Sequence, residues 1–251
     1  ADRQAIASYV DKAFIVQSLD DNFNVRRVER FMVQIMEENI SSVLVLNKAD
    51  LDFDRQSVEE QIKHISSQIP VFFTSIHQLE TIVRLRKSIS EGETVVFVGS
   101  SGVGKSSLVN ALCEKPVLLT SDISLSTGKG RHTSTRREMV LMDSSGVLID
   151  TPGVREFGLA IDNPDSLAEV LEISDYAESC RFKDCKHINE PGCAVIEAVN
   201  SGALDSKVYE SYLKLRREAW HFSASEHEKR KKEKSFTKLV EEVKNRKDAN
   251  R

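Results

Sequence analysis

The sequence predicts an α/β fold: a mostly parallel six-stranded sheet carrying a P-loop nucleotide site, followed by a small α-helical metal-binding domain. Three observations carry this. Strand-length runs of Val, Ile, Leu and Phe alternate with helix-period segments through most of the first 175 residues, as parallel strands buried on both faces require. A glycine-rich turn of the form G-x-x-x-x-G-K-S lies between one such run and one such helix. After about Gly158 the alternation stops and short helical segments surround three cysteines and a histidine.

The apolar runs predict strands at Ala13 to Gln17, Val43 to Leu46, Val71 to Thr74, Val95 to Val98, Glu138 to Met142 and Val147 to Ile149. Apolar residues at helical spacing predict helices over Val25 to Glu38, Ser57 to Ile69, Gln78 to Ser90 and Lys105 to Leu112. Strand and helix in turn make a sheet covered on both faces. Ser121 to Thr135 is rich in Ser, Thr, Gly and charge without periodicity, and reads as a long mobile loop. The boundary falls near Leu159 to Asp165, giving a nucleotide-binding domain over 1–160 and a helical domain with a basic tail over 161–251.

At about 150 residues per domain, 251 residues hold one or two domains with a core that needs no metal or disulfide. A chain 40% hydrophobic and 29% charged excludes collagen-like and wholly disordered classes. Its longest apolar stretches fall far short of the roughly 18 residues of a membrane span, and no charged-then-apolar leader opens it. The expectation is a soluble, cytoplasmic protein with no membrane partner, most simply a monomer. The net charge of −4 hides an asymmetry, because Lys214 to Arg251 holds 13 Lys and Arg against 7 Asp and Glu.

Gly99-Ser100-Ser101-Gly102-Val103-Gly104-Lys105-Ser106-Ser107 follows the strand ending at Val98 and opens a helix. Its glycines let successive backbone N–H groups wrap a pyrophosphate, and the helix N-terminus adds its dipole. Lys105 is expected at the β and γ phosphates, and the Ser106 hydroxyl on Mg²⁺. Asn47-Lys48-Ala49-Asp50 closes an earlier strand in the form N-K-x-D. A carboxylate at Asp50 accepts from the N1–H and N2 amino group of guanine. Adenine has neither donor there, so it is rejected by about 10⁴-fold or more. Asn47 is expected on the base or the neighbouring loop, the Lys48 stem along the ring, and Thr74-Ser75 behind the base.

Asp150-Thr151-Pro152-Gly153 reads as D-x-x-G. Asp150 is expected to hold Mg²⁺ through water and Gly153 N–H to bond the γ phosphate, so that losing this phosphate frees the following segment. Upstream, Arg131-His132-Thr133-Ser134-Thr135 lies where a second switch belongs, and Thr133 or Thr135 completes the Mg²⁺ shell. Cys180, Cys185, His187 and Cys193 lie within 14 residues. Three thiolates and an imidazole complete a tetrahedral Zn²⁺ shell with no open position, which makes a structural site. A disulfide reading does not suit an intracellular chain. Cys113 reads as a buried small hydrophobe, and His64, His77, His221 and His227 as surface or core residues. Glu228 to Lys234 reads either as a solvated helical face or as a contact to RNA phosphates.

N-K-x-D precedes the phosphate loop here, whereas most GTPases have the reverse order. Such a circular permutation keeps the same strands paired. With a Cys/His cluster after the nucleotide domain, the chain resembles the ribosome small-subunit-dependent GTPase A (RsgA) family over roughly Asp11 to Leu215. The likeness rests on Val45 to Leu51, Gly99 to Ser107, Gly130 to Thr133, Asp150 to Leu159 and the spacing Cys180-x4-Cys185-x-His187-x5-Cys193. It implies GTP hydrolysed to GDP, one structural zinc, and binding to the small ribosomal subunit and its rRNA during late assembly. The family's N-terminal OB-fold domain matches no part of this sequence, so its contacts are not carried over. Val154 stands where many GTPases place a water-orienting glutamine, and the resemblance gives that task to His132. Two other readings remain open at this point: a non-ribosomal regulatory GTPase whose zinc domain binds a protein, and an RNA-binding module in which nucleotide only holds the fold.

Overall fold

The structure, a computed structural model, describes residues 8–118, 137–143, 146–152 and 164–224. Strand β1 (Lys12–Ser18) leads to α1 (Val25–Glu37), β2 (Ser41–Asn47), α2 (Arg55–Gln61), α3 (Lys63–Ser66), β3 (Val71–Thr74) and α4 (Leu79–Arg86). Then come β4 (Thr94–Val98), α5 (Lys105–Leu112), β5 (Glu138–Leu141) and β6 (Val147–Asp150). Four further helices follow, α6 (Pro164–Val170), α7 (Ser174–Ala177), α8 (Ala194–Ser201) and α9 (Ser206–Ser223).

The six strands form one mostly parallel sheet, as expected; their order is β3-β2-β1-β4-β6-β5, with only β5 antiparallel to its neighbour. Strand order runs outward both ways from the β1/β4 pair, so the carboxyl ends of those strands form the topological switch point where such sheets bind ligands. Alternate side chains feed two cores. Ala13, Ile15, Leu44, Leu46, Val96 and Val98 pack on the α1 side, and Phe14, Val16, Val43, Val45, Val95 and Phe97 on the α4/α5 side. Burial on both faces is why these strands lack polar alternation.

Asn24 caps α1, its side chain accepting from the Arg27 N–H at 3.3 Å. Val28, Phe31, Met32 and Ile35 of α1 face the core at helical spacing. Leu167, Val170, Leu171 and Ile173 at α6, with Val195, Val208, Tyr212 and Leu215 further on, join that same apolar cluster. The C-terminal helices are thus seated against α1, and an Arg30–Glu218 ion pair at 2.6 Å closes the edge.

Two predicted helices come out shorter. The segment expected as one helix from Ser57 to Ile69 is two, α2 and α3, meeting at Ile62. There the Ile65 N–H bonds Ile62 O at 2.9 Å, a tighter turn that buries both Ile62 and Ile65. Helix α4 ends at Arg86, not Ser90, because the Ser88 hydroxyl takes Leu85 O at 2.6 Å and the backbone closes into turns. No helix among the described residues is long and apolar enough to cross a membrane.

Candidate functional site

Strand β4 delivers the chain into Gly99, and α5 takes it up at Lys105. The loop is pressed against its neighbours. A Cβ at Gly99 would lie 2.4 Å from Val16 O, and one at Gly104 would lie 2.4 Å from Asn47 Nδ2, with Gly104 at φ +92°. Only glycine fits either place. Lys105 is 5% exposed, and its ammonium donates to Gly99 O and Ser100 O at 3.0 Å each. Burial lowers its pKa to about 8 against the opposing pull of Asp150.

Asp150, at the end of β6, meets the first turn of α5. Ser106 Oγ donates to Asp150 Oδ2 at 2.6 Å, while Asp150 Oδ1 is buried with no hydrogen-bond partner. Burial pushes this carboxyl up, opposed by the Ser106 hydrogen bond and the Lys105 charge. A hydroxyl beside an orphaned carboxylate oxygen is an oxygen-donor set of the kind Mg²⁺ accepts. Beyond it, Thr151 Oγ1 donates to Phe97 O at 2.6 Å, fastening β6 to β4.

The N-K-x-D segment arrives from β2 at the same edge. Asn47 is 3% exposed; its Nδ2 donates to Val103 O at 2.9 Å and its Oδ1 accepts from Thr74 Oγ1 at 3.3 Å. One amide therefore ties β2, β3 and the phosphate loop together across 56 residues of chain. The Ala49 N–H bonds Thr74 O at 2.9 Å. Asp50 stands exposed beyond them, its carboxyl held below the usual range chiefly by a hydrogen bond from Ser75. Lys48 takes φ +61° and its ammonium meets Asp20 Oδ2 at 2.8 Å. Sequence reasoning missed Asp20; its only signal was a run of polar residues directly after a buried strand.

The structure thus brings Asn47, Lys48, Ala49, Asp50, Thr74 and Ser75 to one side of Gly99 to Ser107, with Asp150 on the other. His132, Thr133, Thr135 and Gly153 lie outside the described residues, as do Val154 and the basic run from Glu228 to Lys234. Cys113 is buried as expected; His64 is buried against Glu29 at 3.0 Å, and His77 and His221 are exposed.

In the C-terminal helices, Cys180, Cys185, His187 and Cys193 place their ligand atoms within 4.8 Å of one another. Cys180 Sγ lies 3.9 Å from Cys193 Sγ and 3.5 Å from His187 Nδ1, and His187 Nδ1 lies 3.4 Å from Cys193 Sγ. A tetrahedron with Zn–S of about 2.3 Å and Zn–N of about 2.0–2.1 Å has edges of about 3.8 Å between sulfurs and about 3.5 Å from sulfur to nitrogen. These three edges fit that cage. Burial pushes the Cys180 thiol up, but the N–H groups of Val195 and Ala194 at the start of α8, with the neighbouring thiols, bring it below its ordinary range. Burial and then the Arg216 charge push His187 down, favouring the neutral, ligating imidazole. The loop is braced by Glu190, whose carboxylate accepts from the N–H groups of Lys186, Ile188 and Asn189, and by Tyr209, whose hydroxyl donates to His187 O.

A doubly wound sheet with a phosphate loop and a base-side N-K-x-D that comes earlier in the chain defines a circularly permuted P-loop GTPase. The family model described as RsgA GTPase matches residues 1–160. A Bacteroides thetaiotaomicron protein named small ribosomal subunit biogenesis GTPase RsgA 1 is 84% identical over 98% of this chain and 70% of its own length. A Leptospira interrogans protein named small ribosomal subunit biogenesis GTPase RsgA is 38% identical over 95% of this chain and 68% of its own. Among solved structures, YjeQ from Thermotoga maritima superposes with a TM-score of 0.65 at 29% identity, covering 86% of this chain and 73% of that one. YloQ, described as a circularly permuted GTPase, does so at 0.64 and 25%, covering 86% and 70%. The chain belongs to the RsgA GTPase family. A model described as ABC transporter also matches, over residues 82–250. It contains the strand–phosphate loop–helix unit that P-loop proteins share but leaves out β1 to β3 and Asn47 to Asp50, so it carries no argument about the base or the activity.

Proposed function

We propose that this GTPase acts on the small ribosomal subunit during its late maturation and hydrolyses GTP faster when bound to it. Hydrolysis itself follows from family membership. The observation that supports the pocket most is the Asn47 Nδ2 bond to Val103 O, which fixes the N-K-x-D segment against the phosphate loop. In this reading Asp50 accepts from the guanine edge, the Lys48 stem packs along the ring, and Ala49 with Thr74 and Ser75 supports the base. The N–H groups from Gly99 to Ser107 cradle the phosphates, and the Lys105 ammonium leaves its loop carbonyls for the β and γ oxygens.

Ser106 and Asp150 would hold Mg²⁺, with Thr133 or Thr135 completing the set; bound there, Mg²⁺ neutralises charge developing on the phosphate oxygens. Gly153 N–H would contact the γ phosphate. With Val154 unable to orient water, His132 takes that task. Cys180, Cys185, His187 and Cys193 would hold one structural Zn²⁺, shaping residues 161–251 as a unit that docks on 1–160 through the apolar cluster shared with α1. The partner comes from the relatives' names, which specify small ribosomal subunit biogenesis; we extend it to rRNA, contacted by the basic tail of a monomeric protein. Phosphate release measured with and without purified small subunits tests the reading. Turnover on the order of 10⁻⁴ to 10⁻² s⁻¹ alone, as for GTPases lacking a supplied catalytic group, should rise severalfold or more with subunits, and indifference to them would overturn it.

A further inference from the structure

Strand β1 ends at Ser18, and the turn that follows belongs to none of the phosphate or base motifs. Its carboxylate, Asp20, is nonetheless fixed on every side. Oδ1 accepts from Ser18 Oγ at 2.7 Å and from the Asn22 N–H at 3.0 Å, which pins the group to its own turn. Oδ2 is left for the Lys48 ammonium at 2.8 Å. The two turns are also joined through the backbone, since the Leu19 N–H bonds Asn47 O at 2.9 Å. Lys48 leaves this junction at φ +61°, a conformation rare for a side chain of its size, so its direction is imposed from outside. Burial pushes the Asp20 carboxyl up, but hydrogen bonds from Lys48, Ser18 and the Asn22 N–H outweigh this and hold it at about 2, so it stays charged throughout the working pH range.

We propose that Asp20 is a positioning residue for the nucleotide site: by holding the Lys48 ammonium it keeps the lysine stem in place along the guanine plane, and so sets how long a guanine nucleotide stays bound. This rests on the reading of Lys48 given above. A lysine stem has four carbons of rotamer freedom, and ordering it at the moment of binding weakens affinity by about fivefold compared with a stem already held. The side chains are about a quarter to a third exposed, at 23% for Asp20 and 36% for Lys48. That makes the ion pair a weak contributor to fold stability but leaves its geometric effect on Lys48 intact.

The test follows release of a fluorescent GDP from the whole chain for the native protein, Asp20→Asn, Asp20→Glu, Lys48→Met and the Asp20→Asn/Lys48→Met pair, with a melting temperature for each. We expect Asp20→Asn to speed release about fivefold with little change in melting, Asp20→Glu to recover most of the loss, and Asp20→Asn to add nothing once Lys48 is Met. An unchanged release rate in Asp20→Asn overturns the proposal. So does an equal effect in the Lys48→Met background, or faster release that merely tracks earlier melting in both Asp20 variants. The underlying pocket reading fails separately: native protein that releases a fluorescent ADP as slowly as GDP defeats it, whereas kept guanine preference with an inert Asp20 defeats only the positioning role.

Discussion

Gly104 carries two demands at once, a φ of +92° and an Asn47 amide 2.4 Å from where a Cβ would stand. Gly104→Ala should cost about 1–3 kcal/mol in stability and displace Asn47, read as a lower melting temperature with weakened GDP binding. At Asp50 the chemistry is complementarity of donors. Asp50→Asn turns an acceptor into a donor on one side, so GTP affinity should fall by two or more orders of magnitude while xanthosine triphosphate, with a carbonyl in place of the amino group, gains; competition binding reads both. Lys105 gives a pH effect of definite sign. Its folded pKa of about 8 lies below the ordinary lysine value of 10.5, so between these the unfolded chain binds more protons. The nucleotide-free protein should therefore gain stability as pH rises from about 8 to 10, and Lys105→Met should flatten that rise in denaturant titrations at fixed pH. The motif residues were legible because their spacing follows local geometry. Asp20 was not, because its pairing with Lys48 spans 28 residues and only the folded β1 and β2 turns bring the two together.

Elements were read well where periodicity was strong and poorly where side chains compete with the backbone. Strands β1 to β6 lie within a residue or two of their sequence positions; β1, β2 and β4 are buried on both faces and have few alternatives, whereas β5 is an edge strand with Met139 and Leu141 exposed. The break at Ile62 and the early end of α4 were hidden, because a short tight turn and a serine bonding back to its helix leave apolar spacing unchanged. At the Cys/His loop, spacing picked out the four residues that the fold brings together but not Glu190, which closes the loop through three backbone N–H groups. We expect one zinc per chain by elemental analysis. Its removal by a strong chelator should lower melting by roughly 10 °C, at about 2–4 °C per kcal/mol for a chain of this size, with helicity lost from α8 and α9. Zinc-free protein with unchanged melting would rule out the structural site.

Across the whole molecule, rotated chain order changes what the switch proposed at Asp150 to Gly153 is tied to. Asp150 closes β6, and the chain continues through residues 153–163 to α6, whose Leu167 and Val170 sit in the same apolar cluster as Val28 and Phe31 of α1. That shared core was not legible from local pattern, because which helix covers which face is decided only by packing. Phe31→Ala should cost about 3–5 kcal/mol and loosen the C-terminal helices along with the sheet, seen as joint loss of hydrogen-exchange protection. The Arg30–Glu218 pair, partly exposed, should contribute at most about 1 kcal/mol. His132→Ala should abolish most subunit-stimulated turnover while leaving GDP binding unchanged; full stimulation would remove His132 from the mechanism. The most direct measurement is calorimetric titration of the native chain with GDP and with ADP in the presence of Mg²⁺. We predict GDP binding tighter by about 10⁴-fold or more, and equal affinity for the two would contradict a guanine pocket assembled from Asn47 to Asp50 and Gly99 to Ser107.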